Sequence, residues 1–256
     1  MNDRVVNALA AGGDLRVIAA TTTALVEDAR TIHRAGATAA TALGELLTAT
    51  AMMARTLKGS QRVTLQIQAD GVLGLLLARA DRSGVLYGTV ANADAEVAAS
   101  PSGRPATGAA VGRGVMVVSR DEGTARGEPW IGYVAVEGGE IATEIQQYLE
   151  TSEQQRSAVG LRVDLGRFGD VTSAGGFMVQ LVGGLSEARV AELLPRLEEL
   201  QRTGTELIGS GDADSIARQV GGADTHVLES FDLSYNCPIG RAYYAERIAS
   251  LGKSSI

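Results

Sequence analysis

The stretch LGELLTATAMMARTLKGSQRVTLQIQ, residues 43–68, changes its hydrophobic period part-way along. Up to Leu57, the residues Leu43, Leu46, Leu47, Thr50, Met53, Ala54 and Leu57 recur at i, i+3, i+4 and i+7, the spacing of one helix face. Lys58-Gly59 supplies the stop, because glycine readily takes the backbone that ends a helix. From Arg62 to Gln68 the period drops to two, with Val63, Leu65 and Ile67 on one side and Thr64, Gln66 and Gln68 on the other. That alternation is the mark of a strand with one face buried.

Upstream, Leu15 to Thr21 is a short apolar run ending in threonines. Thr22 or Thr23 is placed to cap a helix, with Glu27 and Asp28 near its positive end. Downstream, Asp70-Gly71 signals a turn, and the spans 72–78 and 85–90 read as strands. Residues 100–108, rich in Pro, Gly and Ser, read as an exposed loop, and the strand pattern resumes over 115–118 and 130–136. A helix is expected over 140–154 with Ile141, Ile145, Tyr148 and Leu149 on one face, then strands over 159–165 and 177–182 around a Gly175-Gly176 break. Strands and helices come in blocks and do not alternate strictly, so the fold class is α+β.

Composition shifts after Gly183-Gly184. Val190, Leu193, Leu194, Leu197 and Leu200 form an amphipathic stripe with Ser186 as its N-cap, and Pro195 inside the pattern predicts a kink or break. A short helical patch follows over 214–220. Residues 184–230 hold nine acids against four arginines, which reads as a loosely packed helical arm whose like charges weaken docking. Three segments result: a body over 1–183, a helical arm over 184–230 and a C-terminal piece over 231–256.

The net charge of −7 and the lack of a Lys/Arg run interleaved with aromatics argue against nucleic acid as a partner. The most apolar window is far shorter than the ~20 residues of a spanning helix, so no membrane is expected. Met1-Asn2-Asp3-Arg4 lacks the basic-then-apolar pattern of a secretory signal, and Cys237 is the single cysteine, so a cytoplasmic location is expected.

A catalytic constellation is missing. The sequence contains neither G-x-S-x-G nor G-x-x-x-x-G-K-[ST]. Gly112-Arg113-Gly114 reads as a turn before a strand. His33 and His226 have no metal-ligand partner at helical spacing, and His33 reads as a hydrogen-bonded structural histidine. Glu137, Glu140 and Glu144 are placed to serve a helix dipole before they would hold a cation. No catalytic or cofactor-binding residue is assigned, and the chain is not expected to be an enzyme.

An ordered set of blocks carries a family resemblance. It runs through Arg16-Val17, Thr22-Thr23, Glu27, Ala29-Arg30, His33, Ala42-Leu43-Gly44, Leu47-Thr48-Ala49, Met52-Met53 and Leu57-Lys58-Gly59. It continues with Leu65-Gln66-Ile67, Asp70-Gly71, Leu73-Gly74, the span 138–141, Tyr148, Ser152-Glu153-Gln154, Ala174-Gly175-Gly176-Phe177 and Val179-Gln180-Leu181. Together these resemble the heat-shock protein 33 family. The resemblance implies an α/β body, a helical linker and a small C-terminal zinc module. It also implies a holdase chaperone of unfolded or misfolded clients that works without ATP, in which oxidation releases zinc and loosens the linker. A non-chaperone regulatory or interaction module on the same fold is the alternative, and a homodimer is left open.

In that family zinc sits on four thiolates, a C-x-C pair and a later C-x-x-C pair. Here Cys237 matches the first ligand, but Ile239 stands where the second belongs, and no other cysteine exists. No metal site and no cofactor are therefore expected, and the segment 231–256 reads as a remnant of the zinc module. Two explanations compete, a zinc-less member and a longer protein cut short, and Ile239 favours the first, because cutting a chain short does not change a residue inside it. The stripe Val190, Leu193, Leu194, Leu197 and Leu200 is the candidate linker and client surface. The helical stripe from Leu43 through Met53 to Leu57 reads as a core face first and a client surface second.

Overall fold

Two sheets, one antiparallel and one antiparallel but for its short edge strand, share one helix. The computed structural model describes residues 2–98, 105–122, 128–138, 140–209 and 211–236. The chain begins with β1 (Arg4–Ala10) and β2 (Leu15–Thr21), then α1 (Thr23–His33) and α2 (Ala37–Ala54). Next come β3 (Arg62–Ala69), β4 (Leu75–Asp81), β5 (Val85–Val90), the short α3 (Thr107–Val111), β6 (Arg113–Asp121) and β7 (Trp130–Glu137). α4 (Ile141–Thr151), β8 (Ser157–Leu165) and β9 (Val171–Leu181) complete the body. α5 (Glu187–Thr203), α6 (Ala213–Gly221), β10 (His226–Asp232) and β11 (Ser234–Tyr235) follow. The architecture is α+β, as the block pattern predicts.

The first sheet has strand order β10-β1-β2-β9-β8 and the second β11-β5-β4-β3-β6-β7. α2 packs between them, touching β2, β8 and β9 on one side and β3, β4 and β5 on the other. Apart from Ala37 and Glu45 the whole helix is buried, Met52 and Met53 included. A helix buried around its full circumference is a core helix, so the methionine stripe is core. The threonines on this helix are tolerated because Thr41, Thr48 and Thr50 donate their hydroxyls to the carbonyls of Ala37, Gly44 and Leu46. Gly44 marks the crossing with α1: a Cβ there would lie 2.6 Å from Val26 Cγ1.

The sheets differ in what covers them. β3, β4 and β5 alternate between buried and half-buried residues, because one face meets α2 and the other does not. β2 and β9 are buried on both faces, which is why Leu15 to Thr21 reads as a continuous apolar run.

Several sequence expectations need correction. Gly175-Gly176 does not break a strand; both lie inside β9. A Cβ on Gly175 would sit 2.6 Å from the Ala20 carbonyl oxygen, and one on Gly176 would sit 2.8 Å from that of Gly160 and 3.0 Å from Thr48 Cγ2. Glycine in these strands permits close approach. The span 72–78 loses its first three residues to a turn, since Gly74 takes φ +67° and β4 starts at Leu75. Thr22 does not cap α1 with its side chain; its hydroxyl pairs with that of Thr48, and the Asp3 carboxylate accepts from the backbone of Ala24 and Leu25 instead. α5 runs through Pro195 without interruption. Pro195 is exposed, so water can satisfy the carbonyl it leaves without a donor, and leucines on both sides pack onto the body.

Candidate functional site

The stripe on α5 turns toward the outer face of the first sheet. Leu193, Leu197 and Leu200 are buried, Val190 is half-buried against the same cluster, and Leu194 is half-buried. Leu194 lines a groove of ≈ 350 Å³ between α4, β8 and α5, with Leu197, Gln146, Arg156 and Gln201. α6 lies alongside and buries Ala213, Ile216, Ala217 and Val220. Beneath the two helices are Val6, Val17, Ala19, Phe177 and Val179 of β1, β2 and β9. At the end of α5 the approach is close, since a Cβ on Gly204 would lie 2.4 Å from the Phe177 ring.

The segment is therefore packed, not loose. Its acids Glu187, Glu192, Glu198 and Glu199 point to solvent, where water screens their repulsion, while the apolar stripe lies on a matching face. Polar groups pin the edges. Arg189 Nε lies 2.7 Å from Asp14, Val159 N–H donates to Gln201 at 3.0 Å, and Arg196 donates to the Val220 and Gly221 carbonyls. Ser186 caps α5 and Asp212 caps α6, and the bonds Asp212 accepts from Ser215 hold its carboxyl below the ordinary carboxylate value.

Past α6 the chain crosses from one sheet to the other. β10 pairs antiparallel with β1, and β11 pairs parallel with β5. The 230/231 boundary drawn from sequence thus falls within β10. Phe231 lies under the Arg55 guanidinium at 3.5 Å, and Tyr235 donates to the Gly88 carbonyl at 2.8 Å while meeting His33 Nε2. His33 ends α1 as a hydrogen-bonded structural residue, as its position suggests.

The α6 face was missed as part of this site, although Ala213, Ile216, Ala217 and Val220 follow i, i+3, i+4 and i+7 and signal it. β1, β10 and β11 were missed because short runs with charged residues carry little strand signal. Glu144 is buried on the α4 face, near the Glu137 backbone, and among the described residues no group of three or more His, Cys, Asp or Glu is gathered.

The sequence model of the Hsp33 protein family matches residues 3–256. The chain belongs to the Hsp33 family. A 33 kDa chaperonin of Desulforamulus reducens is 34% identical over 258 residues, covering all of this chain and 87% of the relative. One from Symbiobacterium thermophilum is 37% identical over 260 residues with the same coverage. The crystal structure of the 33 kDa chaperonin of Thermotoga maritima matches with a TM-score of 0.86 at 25% identity, covering 99% of this chain and 87% of that one. Hsp33 is a chaperone family, not a class of enzymes, and its clients are unfolded proteins. Among the described residues, no helix is long and apolar enough to cross a membrane.

A four-thiolate zinc site, as the Hsp33 family implies, takes more thiolates than these 256 residues hold. Cys237 and Ile239 lie outside the described residues, but one cysteine and two histidines in the whole sequence cannot make a four-thiolate site. One of those histidines, His33, is already engaged with Tyr235.

Proposed function

We propose that this Hsp33 chain is a holdase: it binds unfolding proteins, keeps them from aggregating, and uses neither ATP nor a zinc–disulfide switch. The docked arm carries the reading. α5 and α6 bury Leu193, Leu197, Leu200, Ile216 and Val220 against a sheet face of Val6, Val17, Phe177 and Val179. Release of one helical pair would expose two matched apolar surfaces at once, with Val190 and Leu194 at their rim. Each fully buried leucine contributes roughly 1.5–3 kcal/mol, so the docked state is favoured by an amount that heat or a competing client can overcome.

The ATP-independent part rests on the absence of a phosphate-binding loop from the sequence, and the switch-free part on Ile239. A single cysteine suits a reducing compartment, so we place the protein in the cytoplasm. The experiment is light scattering from a heat-labile client, without nucleotide, in reductant and in oxidant. Suppressed aggregation is expected under both conditions. A client that aggregates equally with and without the chain would end the holdase reading, and protection confined to oxidant would end the switch-free one.

A further inference from the structure

Among the described residues, sheet edges are managed at every margin but one. β11 is only two residues long, β8 is buried over most of its length, and β10 carries the exposed Glu229 and Asp232. β7, the last strand of the second sheet, is eight residues long, WIGYVAVE, and has no proline, no lysine and no bulge in its pairing with β6. Three of its outward side chains are apolar, Ile131 at 43% and Tyr133 at 64% exposed with Ala135 following them, and the fourth, Glu137 at the strand's end, is charged. The register sets half-buried Val115 and Val117 of β6 directly beside Ala135 and Tyr133, extending the patch. A long, largely apolar edge without a bulge is a template for another chain, and native proteins normally blunt it.

We propose that the outer edge of β7 is a binding site for an extended, apolar, cationic segment of an unfolding protein, which joins the sheet as an added strand. The proposal rests on the holdase reading and assigns it a surface separate from the arm. Main-chain pairing does not depend on sequence, which suits a protein that must accept many clients, and alternate side chains of the segment would lie on Tyr133 and Val117. Charge selects the occupant. Among the described residues, Glu128, Glu137 and Glu140 stand exposed around the strand, Arg113 opposite Glu137 is an exposed cation beside them, and Arg120 is held by Glu153. With a chain net charge of −7, lysine- and arginine-bearing segments are drawn in and acidic ones turned away.

The only tryptophan, Trp130, opens this strand 46% exposed and provides a local reporter. The probes are an alternating Val/Tyr peptide flanked by lysines and the same peptide flanked by glutamates. The lysine peptide is expected to shift Trp130 emission and to bind about fivefold or more tightly at low salt than the glutamate peptide. Ile131→Lys with Tyr133→Lys should weaken that binding about tenfold and raise the amount of chain needed for client protection, with unchanged melting. Ile131→Thr with Tyr133→Thr repeats the test should the lysines disturb the fold. Equal peptide affinity in wild type and both variants overturns the proposal. So does a wild-type dimer that the variants dissociate, which would make the occupant a second copy. Protection retained in the variants removes the edge site and leaves the holdase reading standing. Peptide binding at β7 by a chain that protects no client keeps the site and removes the holdase reading.

Discussion

His33 Nε2 lies 2.8 Å from the Tyr235 hydroxyl across 202 residues of sequence, and the same hydroxyl donates to the Gly88 carbonyl. One phenol thus ties the C-terminal end of α1 to β5 and to the strand that follows β10. The crossing between sheets is held further by Leu233 N–H to Asp3, Ser234 N–H to Gly84 and Asn236 N–H to Leu86.

That contact predicts a pH effect. Burial holds the His33 imidazole below its ordinary 6.5, only partly opposed by a hydrogen bond to the Gly88 backbone. The folded state therefore binds its proton less readily than the unfolded state. His33's contribution to stability is complete above 6.5 and is lost as pH falls from 6.5 through the lower folded value. Thermal melts between roughly pH 5 and 8 should show this decline in wild type and a flatter profile in His33→Gln. Tyr235→Phe should lose about 1 kcal/mol at neutral pH. Parallel profiles for wild type and His33→Gln would contradict the assignment.

Asp3 caps α1 from outside the helix, and its two most direct replacements should behave differently. Burial raises its carboxyl above the ordinary 3.8, against the lowering effect of hydrogen bonds from Leu25, Ala24 and Thr23, and Asp28 adds to the rise. For an acid shifted in that direction, the contribution is greatest below 3.8 and falls as pH rises through the folded value. Asp3→Asn keeps an acceptor and removes the charge, so at pH 7 it should match or exceed wild type. Asp3→Ala should lose about 1–2 kcal/mol by chemical denaturation. Equal losses in both would show that the charge, not the acceptor, matters.

The arm should be separable from the body. Gly204→Val places methyl groups where the Phe177 ring lies, and Leu193→Asp with Leu197→Asp puts two charges into the buried stripe. Either change should release α5 and α6, with more binding of an apolar dye and client protection beginning at a lower temperature. Far-ultraviolet circular dichroism should retain the sheet signal, because the core around α2 does not include the stripe. Unchanged dye binding and protection would mean that the arm does not gate a surface.

Metal content and Cys237 provide the last test. Elemental analysis of purified protein should find far less than about one zinc per chain, because a structural site wants four ligands. Cys237→Ser should protect clients as wild type does in both reductant and oxidant, since a lone thiol forms no internal disulfide. One tightly held zinc per chain, or an oxidant response abolished by the substitution, would restore the switch.

Much of the body was legible because its signals are local. The helix over α2, the alternation of β3, the amphipathic face of α4 and the stripe of α5 are each set by the periodicity of a few neighbouring side chains. The misreadings share one cause. Gly175 and Gly176 suggested a break, but their role is defined by Ala20, Gly160 and Thr48, all distant in sequence. Pro195 suggested a kink, yet leucines on both sides are held by a surface that no local window contains.

By itself the sequence determined the class of elements, the candidate stripe, the resemblance to Hsp33 and the mismatch with a four-thiolate site, since each depends on residue type and short-range spacing. Only the tertiary structure decided that the acidic arm is docked, that α6 shares its surface, that Asp3 caps α1, that Tyr235 meets His33 and that, among the described residues, no strand pairs with the outer edge of β7. These are relations between segments far apart in the chain. Burial and Coulomb energies depend on distance in space, and whether a stripe is covered or a strand edge paired follows from the partner that the fold brings to it.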